Sequence, residues 1–135
     1  MTSLGKNIQM ESGRKIPDPP TEQEFLNIIR TKGAEVAENI FNEIRLKDST
    51  AIFFSEKSMI NFAYEYGPER AKDLIALLNM NIKVYPNSTE TLLWLAQAHI
   101  AINEKEEAKK YLSKVLKIEP GNQKAQKLLL IINSN

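Results

Sequence analysis

The chain has 135 residues, enough for one compact domain with its own core and too few for two large ones. Eighteen Lys and Arg against 17 Asp and Glu give a formal charge of +1, and 26% charged with 42% hydrophobic residues is the balance of a folded protein, not a disordered one. With no cysteine and a single histidine, His99, the sequence excludes a disulfide framework, a thiolate nucleophile, Cys-ligated metal and a two-histidine zinc site.

Residues 1–20 hold two glycines and three prolines. Ile16-Pro17-Asp18-Pro19-Pro20 favours an extended path, so this stretch reads as a flexible segment or linker ahead of a helical domain over 21–135. Thr21 followed by Glu24 fits a capping box, and Phe25, Leu26, Ile28 and Ile29 then predict a first helix over about 22–31. Gly33 interrupts it, and Ala34, Ala37, Ile40, Phe41 and Ile44 recur at spacings of three and four, predicting a second helix over 34–47. Ala51-Ile52-Phe53-Phe54 is the one strand candidate, short and without a partner.

Ser55 can cap a third helix carrying Met59, Ile60, Phe62, Ala63 and Tyr66, which Gly67-Pro68 stops. A fourth helix is expected over about 69–85, ended by Pro86-Asn87-Ser88. Ser88 or Thr89 caps a fifth to about Ile102, a sixth covers about 104–118, and Pro120-Gly121-Asn122 separates it from a last helix to about Ile132. The expected class is all-α, with about seven helices.

Pro86 and Pro120 each follow a similar amphipathic helix, and their separation matches the period of a helix–turn–helix solenoid. Within 89–122, Leu92, Leu95, Ala96, His99, Ala108, Leu112, Val115 and Pro120 resemble the tetratricopeptide repeat (TPR). Small Ala96 and Ala108 match positions where its two helices approach closely. Asn103 stands at the family's turn glycine, a substitution that asparagine's tolerance of left-handed backbone permits. Residues 55–88 are similar through Phe62, Ala63, Tyr66, Leu74, Leu78 and Pro86, with a slightly shorter turn and Leu74 where alanine is usual. Residues 22–48 look like a degenerate unit, and 123–133 like a capping helix. The resemblance implies a right-handed superhelical stack of antiparallel helix pairs. The run from Lys32 to Asn122, with Asn79-Met80-Asn81 and Tyr85-Pro86-Asn87-Ser88, is also similar to the TPR tails of bacterial β-lactamase-like and esterase serine hydrolases.

Chemistry is sparse. Ser3 to Lys6 and Ser12 to Lys15 match the short Ser-x-x-Lys string of β-lactamase-like nucleophiles, but they fall in the glycine- and proline-containing N-terminus, where no base or oxyanion donor is fixed beside them. His99 lies on the core face of the fifth helix, where a packed imidazole is expected rather than a base or metal ligand. Glu104, Glu106 and Glu107 with Lys105, Lys109 and Lys110 read as a solvated, ion-paired face. Asn87-Ser88-Thr89 fits a glycosylation sequon and is better explained as turn and cap. No cofactor or metal is implied, and the chain reads as non-catalytic.

Charge runs from −2 over 21–50 to +3 over 103–135, too weakly basic for nucleic acid. The N-terminus lacks the apolar run of roughly 7–15 residues that an export signal needs, and no membrane association is expected. The default compartment is therefore the cytoplasm, or the periplasm or exterior for a fragment of an exported hydrolase.

The resemblance places ligand contacts on the first helix of each repeat, lining a concave face. Here these are Glu90, Leu93, Gln97, Ile100 and Ala101 in the last repeat, with Lys57, Ile60 and Tyr64 in the one before. Gln97 stands where relatives that clamp chaperone tails carry asparagine, and the groove is fairly apolar, which favours a peptide held by apolar anchors. Trp94, about 150° around its helix from Leu92, Ala96 and His99, packs on the neighbouring repeat or anchors a partner. Leu128-Leu129-Leu130-Ile131-Ile132 is apolar all round, so it caps the stack or seats a homodimer or further domain. The expected function is a protein-interaction scaffold binding a peptide or partner domain. The alternative is a C-terminal accessory domain that packs on or orients a serine hydrolase.

Overall fold

The computed structural model describes residues 18–134, and no strand occurs among them. Seven α-helices follow in order: α1 (Glu22–Lys32), α2 (Ala34–Lys47), α3 (Glu56–Glu65), α4 (Ala71–Val84), α5 (Thr89–Ala101), α6 (Lys105–Ile118) and α7 (Gln123–Asn133). No helix among the described residues is long and apolar enough to cross a membrane. Both Ser-x-x-Lys strings, and most of the proposed N-terminal linker, lie outside the described residues. The chain divides between Ser55 and Glu56 into two compact units.

In the first unit the capping box forms as its residues dictate. The Glu24 N–H donates to Thr21 Oγ1 at 3.1 Å, and the Thr21 N–H donates to Glu24 Oε1 at 2.8 Å. Gly33 joins α1 to α2 at φ +98°, a left-handed conformation that a side chain would strain. Its N–H closes on the Ile29 carbonyl while its own carbonyl accepts from the Ala37 N–H, so one residue ends one helix and begins the next.

The strand candidate Ala51–Phe54 is irregular backbone instead. Phe53 meets Phe25 edge to face with centroids 4.9 Å apart, Phe54 stacks on Phe25 at 5.6 Å, and both rings also pack against Phe41, at 6.0 and 5.9 Å. The Arg45 guanidinium donates to the Ala51 carbonyl at 2.6 Å, and the Ser55 N–H donates to Glu22 Oε2 at 2.7 Å. Aromatic burial against α1 and α2 and these local hydrogen bonds hold the segment, so it needs no β partner.

The second unit holds α3 to α7. Between α3 and α4 the chain passes through Gly67 in extended geometry and a single 3₁₀ turn, Pro68–Arg70. Between α5 and α6 Asn103 takes φ 63°, the only positive φ outside glycine among the described residues. There the Glu104 N–H donates to the His99 carbonyl and the Asn103 N–H to the Ile100 carbonyl, the Schellman pattern that satisfies the last carbonyls of a helix. The turn read from the sequence as shorter is thus built differently, proline-led and without a left-handed residue, and residues 66–70 between the two α-helices outnumber residues 102–104 of the next pair.

The core around α5, α6 and α7 contains Leu92, Ala96, Ala108, Leu112, Val115, Ala125 and Ile132. Ala96 and Ala108 are fully buried, as small residues must be where two helices approach closely. Each fully buried leucine contributes roughly 2 kcal/mol relative to an exposed one, so this cluster is a main source of the unit's stability. Helix α5 buries residues around much of its circumference, among them Thr91, Leu92, Leu95, Ala96, Ala98 and His99. That explains its weak amphipathicity: α4 covers one side and α6 the other. Asn81, fully buried, donates through Nδ2 to Thr91 Oγ1 at 2.8 Å and to the Glu56 carbonyl at 3.1 Å, tying α4 to α5 and to the start of α3.

Candidate functional site

The repeat period sets a register across the first helices of successive pairs, and the side chains named as ligand contacts follow it. Lys57 in α3, Glu90 in α5 and Lys124 in α7 occupy one equivalent position in three successive units. One turn further on stand Asn61, Trp94 and Leu128, and beyond them Tyr64, Gln97 and Ile131.

Four of the expected residues come together. Glu90 Oε1 accepts from Lys57 Nζ at 3.2 Å, and Glu90 Oε2 accepts from the Tyr64 hydroxyl at 3.1 Å. Tyr64 meets Trp94 edge to face with centroids 5.1 Å apart. Lys124 completes the group, its ammonium 5.7 Å from the centroid of the Trp94 ring. Sequence reasoning missed Lys124, although the repeat period places it one unit after Glu90. Trp94 is half-buried: its ring packs on Tyr64 of the preceding pair, as the first of its two readings expects, and part of it stays accessible.

The other expected residues are arranged differently. Ile60 is 1% exposed and belongs to the core of the second unit, so it cannot touch a partner directly; one helical turn separates it from Tyr64, which is 68% exposed. Leu93 and Ile100 pack partly against the cluster of Leu92, Leu112 and Val115. Gln97 folds its amide back on its own helix, Nε2 donating to the Leu93 carbonyl at 3.3 Å. Ala101, exposed at the last turn of α5, adds only a methyl surface.

His99 is buried, as its place on the core face requires. Its Nδ1 donates to Glu104 Oε1 at 2.7 Å, and its ring stacks on Tyr111 with centroids 5.5 Å apart. Nε2 is buried with no hydrogen-bond partner among the described residues, which suits the tautomer whose proton is on Nδ1 and turned toward an acceptor-only carboxylate. Glu104 therefore leaves the ion-paired face expected of it. Lys109 pairs with Glu106 at 3.3 Å and Lys110 with Glu107 at 3.0 Å, and the Lys110 contact holds the Glu107 carboxyl below its ordinary range and raises the lysine.

Among the described residues no group of His, Cys, Asp or Glu is placed to hold a metal ion. The accessible chemistry of the site is an aromatic pair edged by two ammonium groups and one carboxylate.

Residues 89–135 match the family model described as the Fis1 C-terminal tetratricopeptide repeat. No curated protein matches the chain by sequence. Among solved structures, the first TPR of Spaghetti (RPAP3) bound to the HSP90 peptide SRMEEVD superposes with a TM-score of 0.57 at 19% identity, covering 84% of this chain and 87% of that one. The NMR structure of the first TPR domain of human RPAP3 gives the same values. These likenesses establish an all-α fold of the tetratricopeptide type.

Proposed function

We propose that the face formed by the first helices α3, α5 and α7 is a non-catalytic docking site for a peptide or a segment of a partner protein. The observation that carries this reading is the Tyr64–Trp94 pair, two large aromatic rings left partly accessible on adjacent helices with Lys57, Glu90 and Lys124 at their rim. Rigid aromatic anchors with polar groups around them are the usual makings of a binding hot spot. A scaffold held by repeat packing loses little ordering entropy when a ligand docks. The HSP90 peptide bound to the first TPR of RPAP3 supports a peptide as the kind of ligand.

Trp94 is the sole tryptophan, so its fluorescence reports occupancy without a label. Peptides selected from a random displayed library should shift it on titration. Measured by capture on immobilised peptide, since the first variant has no tryptophan to report binding, Trp94→Ala and Tyr64→Ala should each weaken binding at least tenfold, the usual loss for an anchor, with the melting transition kept. Binding unaffected by both substitutions would remove the site.

Two finer readings belong to the same proposal. Self-association through α7 is supported by Leu130 and Ile131, which are 72% and 53% exposed. An accessory role beside a serine hydrolase domain rests on the similarity carried by Asn79-Met80-Asn81 and Tyr85-Pro86-Asn87-Ser88. Intact-mass analysis of the endogenous protein distinguishes it, because that role requires a longer chain carrying the catalytic domain.

A further inference from the structure

At the equivalent position of three successive first helices the charge alternates: Lys57, Glu90, Lys124. Without Glu90 the row would hold two ammonium groups beside an aromatic pair, a surface suited to a peptide carboxylate next to an apolar anchor. Glu90 changes that chemistry in two ways. Its negative charge lies between the lysines, and its two oxygens accept from Lys57 Nζ at 3.2 Å and from the Tyr64 hydroxyl at 3.1 Å, so an incoming carboxylate competes with it for the Tyr64 hydroxyl and for one of the Lys57 N–H donors. Gln97 is also committed, donating to the Leu93 carbonyl. Lys124 remains, its ammonium held over the Trp94 ring.

We propose that Glu90 is a specificity residue that acts as a built-in carboxylate, so that the face selects apolar segments free of acidic residues and discriminates against acidic ones. The inference rests on the docking site proposed above and assigns its ligand class. A peptide carboxylate beside Lys57 meets the like charge of Glu90 and competes with it for donors, which lowers its affinity relative to an uncharged segment. A leucine- or phenylalanine-anchored segment meets no such competition and covers the exposed part of the rings.

The test uses the full chain and its Glu90→Gln variant. Both are panned against the same random peptide library and then titrated, by Trp94 fluorescence, with matched peptides differing by Gln or Glu beside the apolar anchor. The wild-type chain should select peptides depleted in Asp and Glu. Glu90→Gln, which removes the competing charge and one of the two acceptor oxygens and makes the row more positive, should shift the preference toward the Glu-containing peptide by about fivefold, the scale of one exposed ion pair. Lys57→Met added to Glu90→Gln should take that gain away. An acidic preference already present in the wild type, or a Gln-to-Glu ratio unchanged by Glu90→Gln, overturns the proposal while leaving the docking site intact. Failure of both chains to select any peptide that moves Trp94 removes the docking site itself and this proposal with it.

Discussion

His99 Nδ1 and Glu104 Oε1 stand 2.7 Å apart across the turn between α5 and α6, joining a buried ring to a carboxylate open to solvent. The contact spans the left-handed Asn103, so the same turn satisfies the end of α5 and fixes the imidazole against Tyr111. Glu104→Ala should cost about 1 kcal/mol, since the ring nitrogen loses a charged acceptor but lies close enough to the surface to find water. His99→Phe removes the buried Nε2 along with the contact, and should stay within about 1 kcal/mol of the parent because no polar atom is left stranded. Urea unfolding of the two variants measures both; a loss above about 3 kcal/mol in the phenylalanine variant would mean that the imidazole has a role this contact does not explain.

Asn81 is the polar centre of the second unit's interior. Replacing it with alanine leaves the Glu56 carbonyl without its side-chain donor and deprives Thr91 Oγ1 of one partner, while Thr91 keeps its 2.7 Å contact with Ser88 Oγ. A loss of about 2–3 kcal/mol is expected for Asn81→Ala. In a double-mutant cycle with Thr91→Val, the pair should show a coupling of about 1 kcal/mol. Purely additive losses would mean that the hydrogen bond between Asn81 and Thr91 contributes nothing to stability.

Glu119 gives the second unit a pH dependence of known sign. Its carboxyl accepts from Asn122 Nδ2 at 2.8 Å and from the Thr89 hydroxyl at 2.9 Å, and these hydrogen bonds, the Asn122 one foremost, hold it below its ordinary value of 4.5. A carboxyl with a depressed folded-state pKa contributes stability that is fully present above the unfolded value and is lost as pH falls through the folded one. Glu119→Gln should therefore narrow the stability difference between pH 6 and pH 3, a gap read from chemical denaturation at the two values. An unchanged gap would assign the acid response to other carboxyls.

The apolar run at the end of α7 divides by face. Ile132 is buried and Leu128 and Leu129 pack against the core, whereas Leu130, at the register position of buried Ala96, is 72% exposed. If α7 seats a second copy, Leu130→Lys should convert a dimer to monomer in light scattering at micromolar concentrations while the chain stays folded and its melting temperature loses any dependence on protein concentration. Leu129→Lys is the poorer probe, because it would put a charge against the core and unfold the helix. A parent chain monomeric over a wide concentration range would end the self-association reading.

Much of this molecule is written in local residue order. Capping residues such as Thr21 and Ser88, the breaks at Gly33 and Pro86, and the repeat period define the helices and their pairing, because helix ends are decided by the few backbone groups that neighbouring side chains can satisfy. Even the left-handed turn at Asn103 was legible, through the repeat resemblance that sets it at a turn glycine and asparagine's tolerance of that backbone. Three features came only from the tertiary structure. Phe53 and Phe54 form no strand because aromatic packing on Phe25 and Phe41 supplies their burial; Ile60 turns into the core one turn away from exposed Tyr64; and Glu90 is shared between Lys57 and Tyr64. Each depends on which side chains from distant positions arrive at the same place. Helical periodicity tells which residues share a face, but the partner that face meets, and the donor that a carboxylate finally accepts from, are fixed only when the helices are packed.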